Sequence, residues 1–172
     1  MVSSGHTEDA YLRGFARFLG NRSIDLNLKV CPEAPARIVE YAQRLADHLD
    51  DDFDETWCVV DVDNYDIRTG ARRASELKVE LVVSNPCFEL WLLLHFEACT
   101  CHLAKCKDVE RMVRKHVPTY QKAKLLFADF ENGLADACER ARYLERDGGA
   151  YPNPSTGVWR LAERIMERKA SR

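Results

Sequence analysis

Long apolar runs are missing from this chain. None approaches the ~20 residues that a membrane-crossing helix needs, the longest being Leu90 to Leu94 with its flanks, so no membrane partner is expected. A surplus of positive charge is missing too. With a formal net charge of −3 and a pI near 6.0, no global cationic field draws the chain to nucleic acid, and a polyanionic partner must meet a local patch or a bound metal. Two local patches exist, Arg68, Arg72 and Arg73, and Lys105, Lys107, Arg111, Arg114 and Lys115; solvated helix faces are the plainer explanation of each. There is no internal repeat and no low-complexity tract, which excludes a repeat array. An apolar leader is also absent, and the seven cysteines are an odd number, so the expectation is reduced thiols in a cytoplasm.

The 172 residues, 46% hydrophobic and 31% charged, suffice for one compact domain or a domain with an appended subdomain. The most informative stretch is Val59-Val60-Asp61-Val62-Asp63-Asn64-Tyr65, reached from Trp57-Cys58. Its apolar, β-branched approach reads as a buried parallel strand that ends in two carboxylates. Side chains alternate along a strand, so Asp61 and Asp63 should leave on one face, about 6 to 7 Å apart. A hard divalent cation fits between them, since paired anions at the rim of an apolar layer repel and lose hydration unless something compensates. The bland alternative is a strand end with two solvated acids. The nearby run Asp50-Asp51-Asp52-Phe53-Asp54-Glu55 has no apolar approach and reads as solvated loop.

Along the chain, strand and helix alternate and then give way to helix. Thr7 suits an N-cap with Glu8 and Asp9 in the first turn, predicting a helix over about 8–19. Leu26, Leu28 and Val30 alternate as a strand; Pro35 opens a helix carrying Ile38, Ala42, Leu45 and Leu49. After the strand over 57–62, Val79 to Val83 form another that ends at Ser84-Asn85-Pro86. Asn85 as N-cap and Pro86 in the first turn predict a helix over about 86–97, apolar nearly all round and therefore buried. Beyond residue 100 three helices are expected, the last starting at Asn153-Pro154. The order predicts an α/β fold, a small parallel sheet flanked by helices over 1–99 with a C-terminal helical extension over 100–172 packed on it. Ligands of such sheets sit outside the carboxyl ends of the strands, where Asp61, Asp63 and Ser84-Asn85 fall. Cys99, Cys101, His102 and Cys106 offer soft zinc ligands, but their irregular spacing within eight residues makes buried cysteine the plainer reading.

The string Ser84-Asn85-Pro86-Cys87-Phe88-Glu89-Leu90-Trp91-Leu92-Leu93-Leu94-His95-Phe96 resembles the central motif of the RloB-like family, bacterial proteins with a Toprim-type domain found in phage-defence loci. Thr7-Glu8 with Tyr11, Asp61-x-Asp63, Tyr120-x-Lys122 and Asn153-Pro154-Ser155-Thr156 match further motifs in order, so the likeness spans nearly the whole chain. It implies a Toprim-like sheet, acids that bind Mg²⁺ or Mn²⁺ for phosphodiester chemistry on DNA or RNA, and association with an ATPase encoded nearby; it leaves a homo-oligomer open. The family's opening strand ends in Glu-Gly, whereas Ser4-Gly5 stands here. Only Met1 to Ser3 remain for that strand, which implies a shortened reading frame or a member that has lost this acid. Glu8 matches a second glutamate that Toprim nucleases of the OLD type use as a ligand.

Phosphodiester cleavage needs neutralised phosphoryl oxygens, an activated water and a stabilised leaving oxygen. Glu8, Asp61 and Asp63 with waters would serve one Mg²⁺; a second ion is doubtful without the glutamate missing at position 4. Lys122 or Lys124 would stabilise developing charge, unless both are plain solvated lysines. Glu89 either bonds backbone amides in the capping-box manner or reaches the metal rim. His95 reads as a core histidine rather than a base. Asn153, Ser155 and Thr156 read as helix-cap residues, with phosphate contact at a helix N-terminus as the functional alternative. The two readings carried forward are a metal-dependent nuclease-like enzyme and an interaction subunit that has lost robust catalysis.

Overall fold

β1 (Val2–Ser3), β2 (Lys29–Val30), β3 (Trp57–Asp61), β4 (Glu80–Asn85) and β5 (Ser155–Thr156) form one sheet in the order β2-β1-β3-β4-β5. The first four run parallel and β5 pairs antiparallel to β4. The structure is a computed structural model that describes residues 1–20, 28–48, 54–62, 66–146 and 149–170; Asp63, Leu26, Leu49 and most of the acidic run lie outside the described residues. The α/β class expected from the alternation holds, with a mostly parallel sheet consistent with a Toprim-like core.

Alternation along β3 sorts the core into two layers, as a period of two requires. Cys58 and Val60 face one cluster with Ile38, Val39 and Ala42 of α2 (Pro35–His48) and Ile67 and Ala74 of α3 (Ile67–Leu77). Val59 faces the other, larger cluster, built from α1 (His6–Leu19), α4 (Glu89–Leu94), α5 (Cys106–His116), α6 (Leu134–Glu145) and α7 (Val158–Ala170). Every residue of α4 is buried, as its all-round apolar sequence demands. Tyr11 and Phe15 of α1 pack on Phe127, with ring centroids 5.1 Å and 5.4 Å away. That packing draws the chain after α5 back over α1.

Three helix starts differ from expectation. α1 begins at His6 with Gly5 as its N-cap, not at Thr7. Asn85 is the last residue of β4 rather than a cap; its Nδ2 donates to the Tyr151 carbonyl at 2.8 Å, and α4 begins only at Glu89. A residue before proline is pushed toward extended backbone, and here that preference prolongs the strand; the Asn85–Pro86 bond is cis. The same holds at Asn153–Pro154, also cis, where Ser155–Thr156 complete the sheet as β5 and α7 waits until Val158. Asn153 is held away from a capping role because its side chain clamps Leu103, accepting from the backbone N–H and donating to the carbonyl, both at 2.9 Å. Thr156 alone keeps a cap contact, accepting from Val158 N–H at 3.4 Å.

Candidate functional site

The carboxyl ends of the four parallel strands open into one cleft of about 400 Å³, lined by Ser4 to Glu8 after β1, Pro32 and Glu33 after β2, Asp61 of β3, Phe88 and Glu89 after β4, and Lys122. This is where a parallel α/β sheet places its ligands. Asp61 shares parity with Val59, which lies in the α1 and α4 layer, so it leaves the sheet on the face where Glu8 and Glu89 stand. Asp63 was expected to leave on that face as well; it lies outside the described residues.

Glu8 is nearly buried, 4% exposed, in the first turn of α1. Its Oε1 accepts from the Ser4 hydroxyl at 3.1 Å. Burial raises its pKa above 4.5; its own backbone amide and Ser4 oppose that shift, the Glu89 charge adds to it, and Lys122 opposes it. Gly5 makes this position accessible by close approach, since a Cβ there would stand 2.6 Å from Glu8 Oε2.

Glu89 does not cap its own helix. Its side chain, 2% exposed, lies with Oε1 2.9 Å from Lys122 Nζ and 3.1 Å from the Tyr120 hydroxyl that donates to it, while Oε2 lies 3.0 Å from Cys106 Sγ. Lys122 also reaches Glu110 Oε1 at 3.2 Å. Burial pulls against the Lys122 charge, but Glu89 and Glu110 outweigh it and its pKa is raised. The Tyr120 phenol is pushed up by burial first and by the Glu89 charge second. Of the two lysines considered, Lys122 lines the cleft; Lys124 is exposed and apart from it.

Remaining sequence candidates fall elsewhere. His95, 4% exposed, donates from Nδ1 to the Trp91 carbonyl at 2.9 Å, which leaves Nε2 to accept from the Tyr11 hydroxyl at 3.0 Å. Burial pushes its pKa down to about 4, so it is a satisfied neutral core histidine. Ser155 and Thr156 are buried in β5, where the Thr156 and Ser84 hydroxyls bond at 2.8 Å. The zinc grouping of Cys99, Cys101, His102 and Cys106 does not assemble, and not every thiol is free. Cys99 and Cys101 have Sγ atoms 3.9 Å apart, but Cys106 forms a disulfide with Cys87, with Cα atoms 5.8 Å apart. A bond across nineteen residues has no counterpart in local cysteine spacing. In the basic segments, Arg72 and Arg73 pair with Glu76, Arg111 with Asp108 and Arg114 with Glu110, the i,i+3 and i,i+4 pattern of solvated helix faces.

Glu110, Glu33 and the Cys87–Cys106 pair are the site members that sequence patterns did not single out. The donors facing the cleft are carboxylate oxygens, Glu8 and Asp61 with Glu33 at the rim, a hard set that fits Mg²⁺ or Mn²⁺. The buried Glu8 charge, disfavoured by desolvation and by Glu89, is the electrostatic condition that a cation relieves. No curated protein and no solved structure matches the chain. The model of the family described as RloB-like protein matches residues 1–165, nearly the full 172, and the chain therefore belongs to the RloB-like protein family.

Proposed function

We propose that this chain is a metal-dependent, nuclease-like Toprim protein that acts on DNA or RNA phosphodiesters in a bacterial antiphage defence system, in the cytoplasm and together with an ATPase encoded nearby. The observation that supports this reading is the convergence of Glu8, Asp61, Glu89 and Lys122 on one cleft at the strand ends. Glu8 and Asp61, with Asp63, would hold Mg²⁺ or Mn²⁺. When bound, the ion supplies charge neutralisation at the phosphoryl group and lowers the proton affinity of water. The chain's own contribution is positional. Lys122, fixed by Glu89 and Glu110, presents positive charge to an incoming phosphate, and Tyr120 keeps the Glu89 carboxylate in place.

A second reading rests on Ser4. Its hydroxyl donates to Glu8 at the position where the family pattern carries an acid, so the site is one carboxylate short. That favours an interaction subunit that binds the ATPase or nucleic acid with weakened catalysis. A Mg²⁺ and Mn²⁺ titration with plasmid and RNA substrates separates the two. The nuclease reading expects cleavage that is lost in Asp61→Ala with Asp63→Ala and raised in Ser4→Glu. Metal-independent behaviour of all three proteins, with partner binding intact, rejects it.

A further inference from the structure

At the cleft wall, Glu89 and Lys122 also join the Cys87–Cys106 disulfide and Glu110 in a polar cluster. Cys87 belongs to the turn between β4 and α4 and is 2% exposed; Cys106 opens α5 and is half-buried. One ligand atom from each of Cys87, Cys106 and Glu89 lies within 4.8 Å of the others. A tetrahedral zinc with Zn–S of about 2.3 Å and Zn–O of about 2.0 Å needs ligand separations of roughly 3.3 to 3.8 Å, so small rotamer changes close the set. A fourth oxygen is at hand in Glu110 Oε1, 3.9 Å from Cys106 Sγ.

We propose that the reduced form of this pair is a zinc site, with Cys87 Sγ, Cys106 Sγ and a Glu89 carboxylate oxygen as ligands and Glu110 as the fourth, and that the disulfide is its oxidised, metal-free state. Two thiolates with carboxylate oxygen select a borderline-soft dication over Mg²⁺, which separates this site chemically from the all-oxygen donors of the cleft. The proposal does not rest on the phosphodiester reading.

Interconversion balances with a low-molecular-weight thiol as reductant. Its thiolate attacks Sγ of Cys106, the less buried of the two residues; the S–S bond breaks and Cys87 leaves as a thiolate that takes up a proton. A second thiolate attacks the mixed disulfide, releasing the oxidised reductant and Cys106 as a thiolate, which takes up the second proton. Two electrons and two protons enter the protein, and zinc binding then expels the two thiol protons. Lys122 Nζ, 3.8 Å from Cys106 Sγ, stabilises Cys106 when it leaves as a thiolate in the second exchange. Glu89 turns Oε2 toward Cys106 Sγ and Oε1 toward Lys122, so zinc held by Oε2 and by Glu110 Oε1 lowers the negative charge that fixes the Lys122 ammonium.

The chain offers other thiols for comparison, Cys31, Cys58, Cys99, Cys101 and Cys138. The test uses the full chain, reduced with a phosphine, desalted without oxygen and equilibrated with ZnSO₄, then assayed for bound zinc by mass spectrometry. Expected are about one zinc per chain after reduction and none after oxidation to the disulfide. Cys87→Ser and Cys106→Ser should each abolish retention, Cys99→Ser with Cys101→Ser should leave it unchanged, and Glu89→Gln should weaken it about tenfold or more. Because Cys87→Ser risks misfolding, Co²⁺ replaces Zn²⁺ in the unmutated protein, where sulfur-to-metal charge-transfer absorption must appear on reduction and vanish on oxidation. Reduced protein without zinc, cobalt bound without that absorption, or zinc that follows Cys99 and Cys101 each overturns the proposal.

Discussion

Removing the Lys122 ammonium should destabilise the protein through Glu89, and the size of the loss can be worked from burial. The Glu89 side chain is 2% exposed and that of Lys122 is 49% exposed. Stripping one partner from a fully buried ion pair costs about 3 to 5 kcal/mol, because the remaining charge is stranded. Here the stranded carboxylate keeps the Tyr120 hydroxyl at 3.1 Å, and water follows the truncated lysine into the half-exposed space, so Lys122→Met should cost about 2 kcal/mol. Glu110 is not stranded in turn, since Arg114 reaches it at 3.3 Å. For a chain of 172 residues the loss corresponds to a Tm decrease of about 4 to 8 °C.

The mechanism is isolated by a double-mutant cycle. Glu89→Gln removes the charge while its amide oxygen still accepts from Tyr120 and Lys122, at a cost of about 1 kcal/mol. In that background the ammonium has no buried anion to compensate, and adding Lys122→Met should cost only a few tenths more. The coupling expected from urea unfolding at pH 7 is therefore about 1.5 kcal/mol, well above the few tenths by which independent sites depart from additivity. Equal losses from Lys122→Met with glutamate or glutamine at position 89 would refute the reasoning and leave the pair as a solvated contact.

Burial at Glu8 and His95 gives opposite pH signatures. The Glu8 pKa lies above 4.5 when folded, so the fold holds a proton that the unfolded chain has released; the stability this group contributes rises as pH falls toward 4.5 and is lost above the folded pKa. Glu8→Gln should accordingly be more stable than wild type at pH 7 to 8 by about 1 kcal/mol, a gain that disappears near pH 4.5 and is absent when Mn²⁺ saturates the wild type. His95 is depressed from 6.5 to about 4, so its contribution is fully present above 6.5 and declines as pH falls to 4, by at most about 3 kcal/mol. Thermal melts of His95→Gln between pH 4 and 7 should be flatter than those of wild type; an unchanged slope would place the acid sensitivity elsewhere. Gly133→Ala should lower the urea midpoint by the equivalent of about 2 to 4 kcal/mol, because the added methyl overlaps the His95 carbonyl, which is backbone and cannot yield as a side chain would.

The central strands β3 and β4 were legible in sequence because burial on both faces leaves an apolar record, whereas β5, Ser155–Thr156, carries none and read as helix-cap residues. Trp57 to Asp61 emerged where the β-branched run predicted it, and its parity alone placed Asp61 on the α1 and α4 face. The helix starts were less legible at Asn85-Pro86 and Asn153-Pro154. Both dipeptides satisfy a capping rule and a pre-proline rule that point in different directions, and tertiary partners, the Tyr151 carbonyl and the Leu103 backbone, decided between them. Glu89 was singled out as a site residue, but its partners Tyr120 and Lys122 lie more than thirty residues away, beyond the reach of spacing arguments. Cys106 was grouped with Cys99 and Cys101 because they are neighbours in the chain; folding placed it instead beside Cys87.

Rigid and adjustable parts of the site are divided between its two charges. Glu89 stands on a helix whose other five residues, Leu90 to Leu94, are all buried, so its backbone cannot turn without uncovering core. Lys122 comes from a short 3-10 segment over Lys122–Lys124, and its ammonium has two carboxylate partners, Glu89 and Glu110, between which a small change of rotamer redistributes it. Carboxylates outnumber the one lysine on the cleft wall, Glu8, Glu33, Asp61 and Glu89 against Lys122, while burial first, and the Glu89 charge after it, raises the Glu8 pKa. An added cation near Glu8 offsets that imbalance and makes full ionisation of Glu8 favourable; an added phosphate oxygen draws Lys122 outward, which strands Glu89 unless the cation is already present. Cation and phosphate should therefore bind with positive coupling, each stronger in the presence of the other, and the acid fixed on α4 is what transmits it.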